Sequence, residues 1–153
     1  MTERIEAPTQ EQLAAIAAYR ERVHALYHEV RSWLGGDKRF RFEQCSSTVA
    51  DGLGEYEVER LRIFAAEDCV ADFRPVAATV VLAAGAVDVI GLVDYAWLNY
   101  HERRPMAVTT LTRRDGTSAR HSKPIIPGIH RPGWYWTDLR HDCARFLDRR
   151  VLF

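Results

Sequence analysis

Between residues 10 and 34 the apolar side chains recur in steps of three and four: Ile16, Tyr19, Val23, Leu26, Val30 and Trp33. That spacing lines one face of a helix. Thr9 followed by Gln12 forms a capping box, in which hydroxyl and amide side chains satisfy each other's main-chain amides. Gly35-Gly36 stops the helix. The seam predicts docking on a sheet, with a homodimer through the Ile16–Trp33 seam as the alternative. Residues 1–8 are expected to form a flexible arm.

From residue 39 the period changes to two. Phe40 and Phe42 alternate with Arg41 and Glu43, which predicts a half-buried strand over 39–45. A turn-rich loop is expected over 46–54, around Asp51-Gly52. A second strand is read over 55–64. Its apolar phase switches from Tyr56 and Val58 to Leu61 and Ile63, which predicts a β-bulge near Arg60. A third strand covers 69–73 and ends at Pro75.

The longest apolar run, Val76 to Trp97 (VAATVVLAAGAVDVIGLVDYAW), is expected to lie in the core as a hairpin, with strands over 76–82 and 86–92. Asp88 and Asp94 within the run exclude a membrane span, since a mid-membrane carboxylate costs about 2.5–3.5 kcal/mol. Residues 93–101 fit either strand or short helix. A hairpin with its turn at Asp115-Gly116 is read over 106–122. The proline-rich stretch 123–133 is expected to cross the surface. A final helix is expected from Thr137, with Leu139, Cys143, Phe146 and Leu147 as its buried stripe.

The sum predicts an α+β fold over residues 1–153 as one domain. A long N-terminal helix and a C-terminal helix pack on a mainly antiparallel sheet of about five to seven strands.

Apolar content of 47% and charged content of 27% are those of a globular chain. The start, MTERIEAPTQ, has no apolar leader core, and Cys45, Cys69 and Cys143 fit no zinc spacing. A cytoplasmic protein with three small buried thiols is therefore expected, without a membrane segment. The net charge is zero, but residues 1–100 carry −6 and residues 101–153 carry +6. The basic half concentrates Arg113, Arg114, Arg120, Lys123 and Arg131 just before the aromatic cluster Trp134-Tyr135-Trp136. Cations beside aromatics suit a protein interface, where Arg, Trp and Tyr carry most of the binding energy. They also suit nucleic acid, where phosphates take the charge and bases stack on rings.

Other chemistry is sparse. Glu21, His24 and His28 share a helix face, but without the HExxH pattern. His121, His130 and His141 lie near Asp138, Asp142 and Cys143 in sequence. His141 and Cys143, two apart on a helix, do not face each other. The strand GAVDVIG resembles the strand that carries the metal-binding aspartate of PD-(D/E)xK nucleases. The resemblance implies a metal-binding role for Asp88 and an acidic-x-Lys element on the following strand. The nearest counterpart here is Glu102-Arg103-Arg104. No phosphate loop or nucleophile elbow is present.

The expectation is a non-enzymatic interaction protein of a prokaryotic cytoplasmic system, of the adaptor, immunity or complex-subunit kind, needing no cofactor. Nucleic-acid binding through 113–131, and a divergent metal-dependent nuclease with Asp88, are the alternatives.

Overall fold

The structure, a computed structural model, describes residues 7–138, 140 and 142–152. Most of the expected arm 1–8, Leu139 of the expected C-terminal stripe, and His141 lie outside these residues. The first element is the long helix α1 (Gln10–Leu34), opened by the expected capping box between Thr9 and Gln12. Among the described residues nine strands follow: β1 (Phe40–Asp51), β2 (Gly54–Ala65), β3 (Asp68–Ala77), β4 (Ala86–Gly91), β5 (Tyr95–His101), β6 (Met106–Thr112), β7 (Ser118–Pro124), β8 (Gly133–Asp138) and β9 (Cys143–Phe146). A single turn of helix, α2 (Arg149–Leu152), comes last.

Seven strands form one antiparallel sheet in the order β1-β2-β3-β4-β5-β8-β9, and β6 and β7 form a separate two-stranded ribbon. The sheet is a meander, as short links between successive strands dictate. The ribbon is inserted where the chain leaves β5 and before it returns as β8.

Helix α1 lies on one face of the sheet. Its Ile16, Tyr19, Val23, Leu26, Tyr27 and Val30 are buried against Val58, Leu61, Ile63, Phe73, Val87, Val89 and Leu98. The helix seam is thus used within the chain and is not free to pair with a copy. A smaller cluster of Ile129, Tyr135 and Ala144, flanked by Ile126 and Phe146, forms apart from this core. No described helix is long and apolar enough to cross a membrane.

Two tyrosines of α1 do more than fill volume. Pro75 has no N–H to give the ladder, and the β3–β4 register shifts between Pro75 and Ala77. The Tyr19 hydroxyl fills the break: it donates to the Ala86 carbonyl at 2.6 Å and accepts from the Val76 amide at 3.2 Å. Gly85 makes room for the ring, since a Cβ there would lie 3.0 Å from it. Tyr27 acts eight residues later, where β2 parts from β3 beyond the Leu61–Phe73 pair. Its hydroxyl lies 2.8 Å from the Glu59 carbonyl and 3.3 Å from that of Phe73. Burial pushes both phenols well above their usual pKa, so they remain neutral donors.

Several expectations need correction. The loop over 46–54 is instead continuous strand on both sides of a two-residue turn at Gly52-Leu53. The β1–β2 register runs unbroken from Phe40–Ala65 to Asp51–Gly54. The shift in β2 falls at Ile63–Phe64, against β3, rather than near Arg60. The change of apolar phase coincides with the point where β1–β2 becomes a two-stranded ribbon, and such ribbons twist most strongly.

The 76–92 hairpin is not formed. Residues 78–85 are a loop closed by a lone Val80–Ala83 bridge, and β4 pairs with β3 and β5. Asp51 explains part of this. Its carboxylate accepts from the Tyr56 hydroxyl at 2.6 Å and from the Ala78 amide at 2.8 Å, drawing the chain out of the strand path. Burial opposes ionisation of Asp51, but these bonds and the amides of Leu53 and Thr79 hold its pKa below the usual carboxylate range. Val81 is 91% exposed, and Leu82 adopts a φ of 67°. The ambiguous segment 93–101 contains strand β5.

The expected C-terminal helix is the β8–β9 hairpin followed by one helical turn. Pairing with β5 on one side and within the hairpin on the other outweighed the helical spacing of Cys143, Phe146 and Leu147.

The main chain of Tyr100 holds the other end of the 78–85 loop at Ala84 and Gly85, and His101 meets its middle. This histidine is buried, its Nδ1 lies 3.1 Å from the Leu82 carbonyl, and no described residue offers a partner to its Nε2. Burial pushes its pKa down, outweighing the hydrogen bond to Leu82, which acts the other way.

Two outcomes are expected. Tyr19→Phe and Tyr27→Phe each lower stability by about 1–3 kcal/mol in urea denaturation, because each strands buried main-chain groups. For His101 the unfolded chain binds the proton more readily than the native one. Its contribution is therefore complete above about pH 6.5, the unfolded value, and is lost as pH falls through the lower native value. In melts between pH 7.5 and 5, His101→Phe flattens this slope.

Candidate interaction surface

The β6–β7 ribbon stands away from the body. Its register runs from Met106–Pro124 to Thr112–Ser118. At the tip Arg113 and Thr117 close the turn, the Thr117 carbonyl accepting from the Arg113 amide at 2.8 Å. Asp115 caps it, accepting from the Thr117 amide at 2.9 Å and hydroxyl at 2.6 Å, bonds that lower its pKa. Gly116 supplies the required positive φ of 86°. At the base the Ile125 amide donates to the Pro105 carbonyl at 2.9 Å.

Both ribbon faces meet solvent. Met106, Val108 and Leu111 are 40%, 47% and 56% exposed. Arg120 shares a face with Val108 and Thr110, while Lys123, His121 and Leu111 share the other. The turn carries Arg113 and Arg114. Four cations thus face one acid, Asp115, over residues 105–125. An open groove of about 620 Å³ lies at the ribbon's base, lined by Leu82, Arg103, Arg104, Met106 and Ile125 among others.

The structure divides the residues singled out from sequence. Arg113, Arg114, Arg120 and Lys123 are on the ribbon. Arg131 is not: its guanidinium sits 3.8 Å from the centre of the Phe146 ring, in the loop before β8. Strand alternation in β8 splits the aromatic cluster. Trp134 is buried under α1, donating Nε1–H to the Arg22 carbonyl at 3.1 Å. Tyr135 is buried in the smaller cluster, its hydroxyl donating to the Arg131 carbonyl at 2.8 Å. Trp136 is half-buried, with the Arg145 guanidinium 5.7 Å from its ring. The cations and aromatics do not form one surface.

Exposed aromatics occur elsewhere, on the sheet face away from α1. Tyr95 and Trp97 are 48% and 45% exposed, and Leu92 and Val93 at the β4–β5 turn are 64% and 98% exposed. The Trp97 Nε1–H donates to the Tyr95 hydroxyl. The sequence reading placed this stretch in the core. The available signal was Asp88, which alternates with the buried Val87 and Val89 and so marks a wet face. On the same face Asp72 takes Arg60 through both oxygens, at 2.7 and 2.5 Å, and Arg74 at 2.7 Å. Burial resists ionisation of Asp72, but these arginines hold its pKa below the carboxylate range.

The remaining candidates are scattered. Asp88 lies opposite Arg74 on β3 and Trp97 on β5, while Glu102 pairs with Arg22 of α1. His24 Nε2 lies 3.4 Å from a Glu59 oxygen, and both side chains are largely exposed. Among the described residues no three His, Cys, Asp or Glu side chains come together to hold a metal ion. The cysteines are free, and the expectation that all three are buried is corrected: Cys45 is exposed, and Cys69 and Cys143 are half-buried. The ribbon carries charge and apolar side chains into solvent. No known protein family, no curated protein and no solved structure matches this chain.

Proposed function

We propose that the chain is a non-enzymatic binding module that docks an acidic protein surface through the 105–125 ribbon. The observation that carries this reading is a ribbon exposed on both faces, with Met106, Val108 and Leu111 about half exposed beside four cations. A two-stranded ribbon alone is marginal in water, so this one has most to gain from a partner that covers its apolar side chains. Mixed Arg and apolar contacts are the ordinary make-up of a protein interface core and its rim. The body serves as the rigid mount. The three free cysteines fit the reducing cytoplasm, of a prokaryotic system, that goes with this reading.

Nucleic acid is the second reading, favoured by the single acid among the ribbon's charges. Cationic β-ribbons reach into duplex grooves. Against it, Trp134 and Tyr135 are buried and cannot serve as stacking platforms.

Replacing residues 106–124 by a short Gly-Ser turn tests the proposal. The Ile125–Pro105 hydrogen bond leaves the two ends of the cut adjacent. The deleted chain is expected to keep the melting temperature of the body and to lose a protein partner that the full chain captures after nuclease treatment. Charge reversal at Arg113, Arg114 and Arg120 is expected to weaken that capture about tenfold or more, each tenfold being about 1.4 kcal/mol. Capture that survives deletion sinks the proposal. Recovery of nucleic acid alone, with affinity falling steeply as salt rises, replaces it by the second reading.

A further inference from the structure

We propose that the open edge of β1 is the seat of an isologous homodimer, in which β1 pairs antiparallel with the β1 of a second copy about Cys45. The two edges of the main sheet are treated very differently. At the far edge β9 is four residues long. It is covered by the loop before β8: the Ala144 amide donates to the Pro127 carbonyl at 2.8 Å. Gly128 lies so close that a Cβ would fall 2.0 Å from the Ala144 carbonyl oxygen. At the near edge β1 is 12 residues long, contains no proline, glycine or lysine, and no described strand pairs with its outer side. Its charges Arg41 and Glu43 pair with each other, and its register carries no bulge. Long edges without proline, lysine or a bulge invite another strand.

The phase of the edge is set by its neighbours. The Glu57 and Glu59 carbonyls accept from Arg20 and Tyr27, each at 2.8 Å, so they point away from β1. Their register partners Thr48 and Ser46 therefore turn their own N–H and C=O groups outward. Phe42, Gln44 and Ala50 share that phase. The Ser46 and Thr48 hydroxyls are turned to Glu57 on β2 and leave the edge open.

Laid antiparallel on itself about Cys45, the strand is compatible with its own copy. Gln44 meets Ser46, Phe42 meets Thr48, Arg41 meets Val49 and Glu43 meets Ser47. No like charges are opposed, and the outward groups pair throughout. A two-fold axis requires this self-match, whereas a foreign peptide does not. Cys45, exposed, meets its own copy in a non-hydrogen-bonded pair. Cα atoms in such a pair lie about 4.5 Å apart, within disulfide range.

The test is sedimentation equilibrium on the full chain at micromolar concentrations. A dimer is expected. Cys45→Arg, which opposes two cations on the axis, and Ser46→Pro, which removes an outward N–H, are each expected to raise its dissociation constant about tenfold or more, with the far-UV circular dichroism unchanged. If Ser46→Pro fails to fold, Cys45→Arg alone decides. With diamide taking up the two electrons and two protons, the dimer is expected to yield a Cys45–Cys45 cross-link on mass mapping. A monomeric wild-type chain overturns the proposal, as does a dimer untouched by Cys45→Arg. The chain lacking residues 106–124 is expected to dimerise as well as the full one. Loss of the dimer there assigns self-association to the ribbon and overturns the edge, independently of whether the ribbon binds a foreign partner.

Discussion

A proline in the third strand, and the parting of the second from it, leave main-chain groups of a seven-stranded sheet without ladder partners, and both places lie beneath the same helix. Tyr19 and Tyr27 answer them with hydroxyls rather than with more apolar surface. A buried carbonyl or amide without a partner costs about 1–3 kcal/mol, so these hydroxyls hold the helix to particular points along the sheet. Hydrophobic burial alone would fix only its face. The Trp134 indole works in the opposite direction, reaching from β8 back to the Arg22 carbonyl on the helix. Helix and sheet are thereby locked by polar contacts set inside an apolar core. Buried networks of this kind are costly when incomplete and specific when satisfied.

That lock has a consequence for function. Most of the helix seam is buried against the inner sheet face, and on the proposed reading binding uses what remains. What remains is the charged and aromatic outer face, the long edge of β1, and the ribbon between β5 and β8. The ribbon is joined to the body by its two ends, which lie together at Pro105 and Ile125. On the proposed reading the body can therefore stay rigid while the ribbon meets a partner. The net charges of the two halves of the sequence now have a spatial meaning: much of the basic excess of the second half is gathered on the ribbon.

The helix, its cap and the Asp115-Gly116 turn were legible because each is dictated locally, by side chains within four residues of one another. The antiparallel pairing followed from the short links, whereas the order of the strands, with β8 beside β5, did not. The stretch 76–85 was misread because an apolar letter does not say whether anything covers it. Asp51, some 27 residues away in sequence, captures the Ala78 amide and turns the chain out. The C-terminal hairpin was misread for the converse reason, since Cys143, Phe146 and Leu147 suit a helix until β8 offers them a partner strand. At the candidate site the four ribbon cations were legible as a group. Their association with Trp134, Tyr135 and Trp136 was not, because proximity in sequence across a strand sends neighbours to opposite faces.

A closed body carrying a self-unsupported ribbon is most directly examined by native-state hydrogen exchange resolved to single amides. The Val76 amide, bonded to the Tyr19 hydroxyl, and the ladder amides of β2 to β5 should exchange only through global unfolding. The amides of β6 and β7 should exchange orders of magnitude faster in the free chain, through local opening. Equal protection of ribbon and body would contradict this picture, because it would mean that the ribbon is already packed, on its own body or on a second copy.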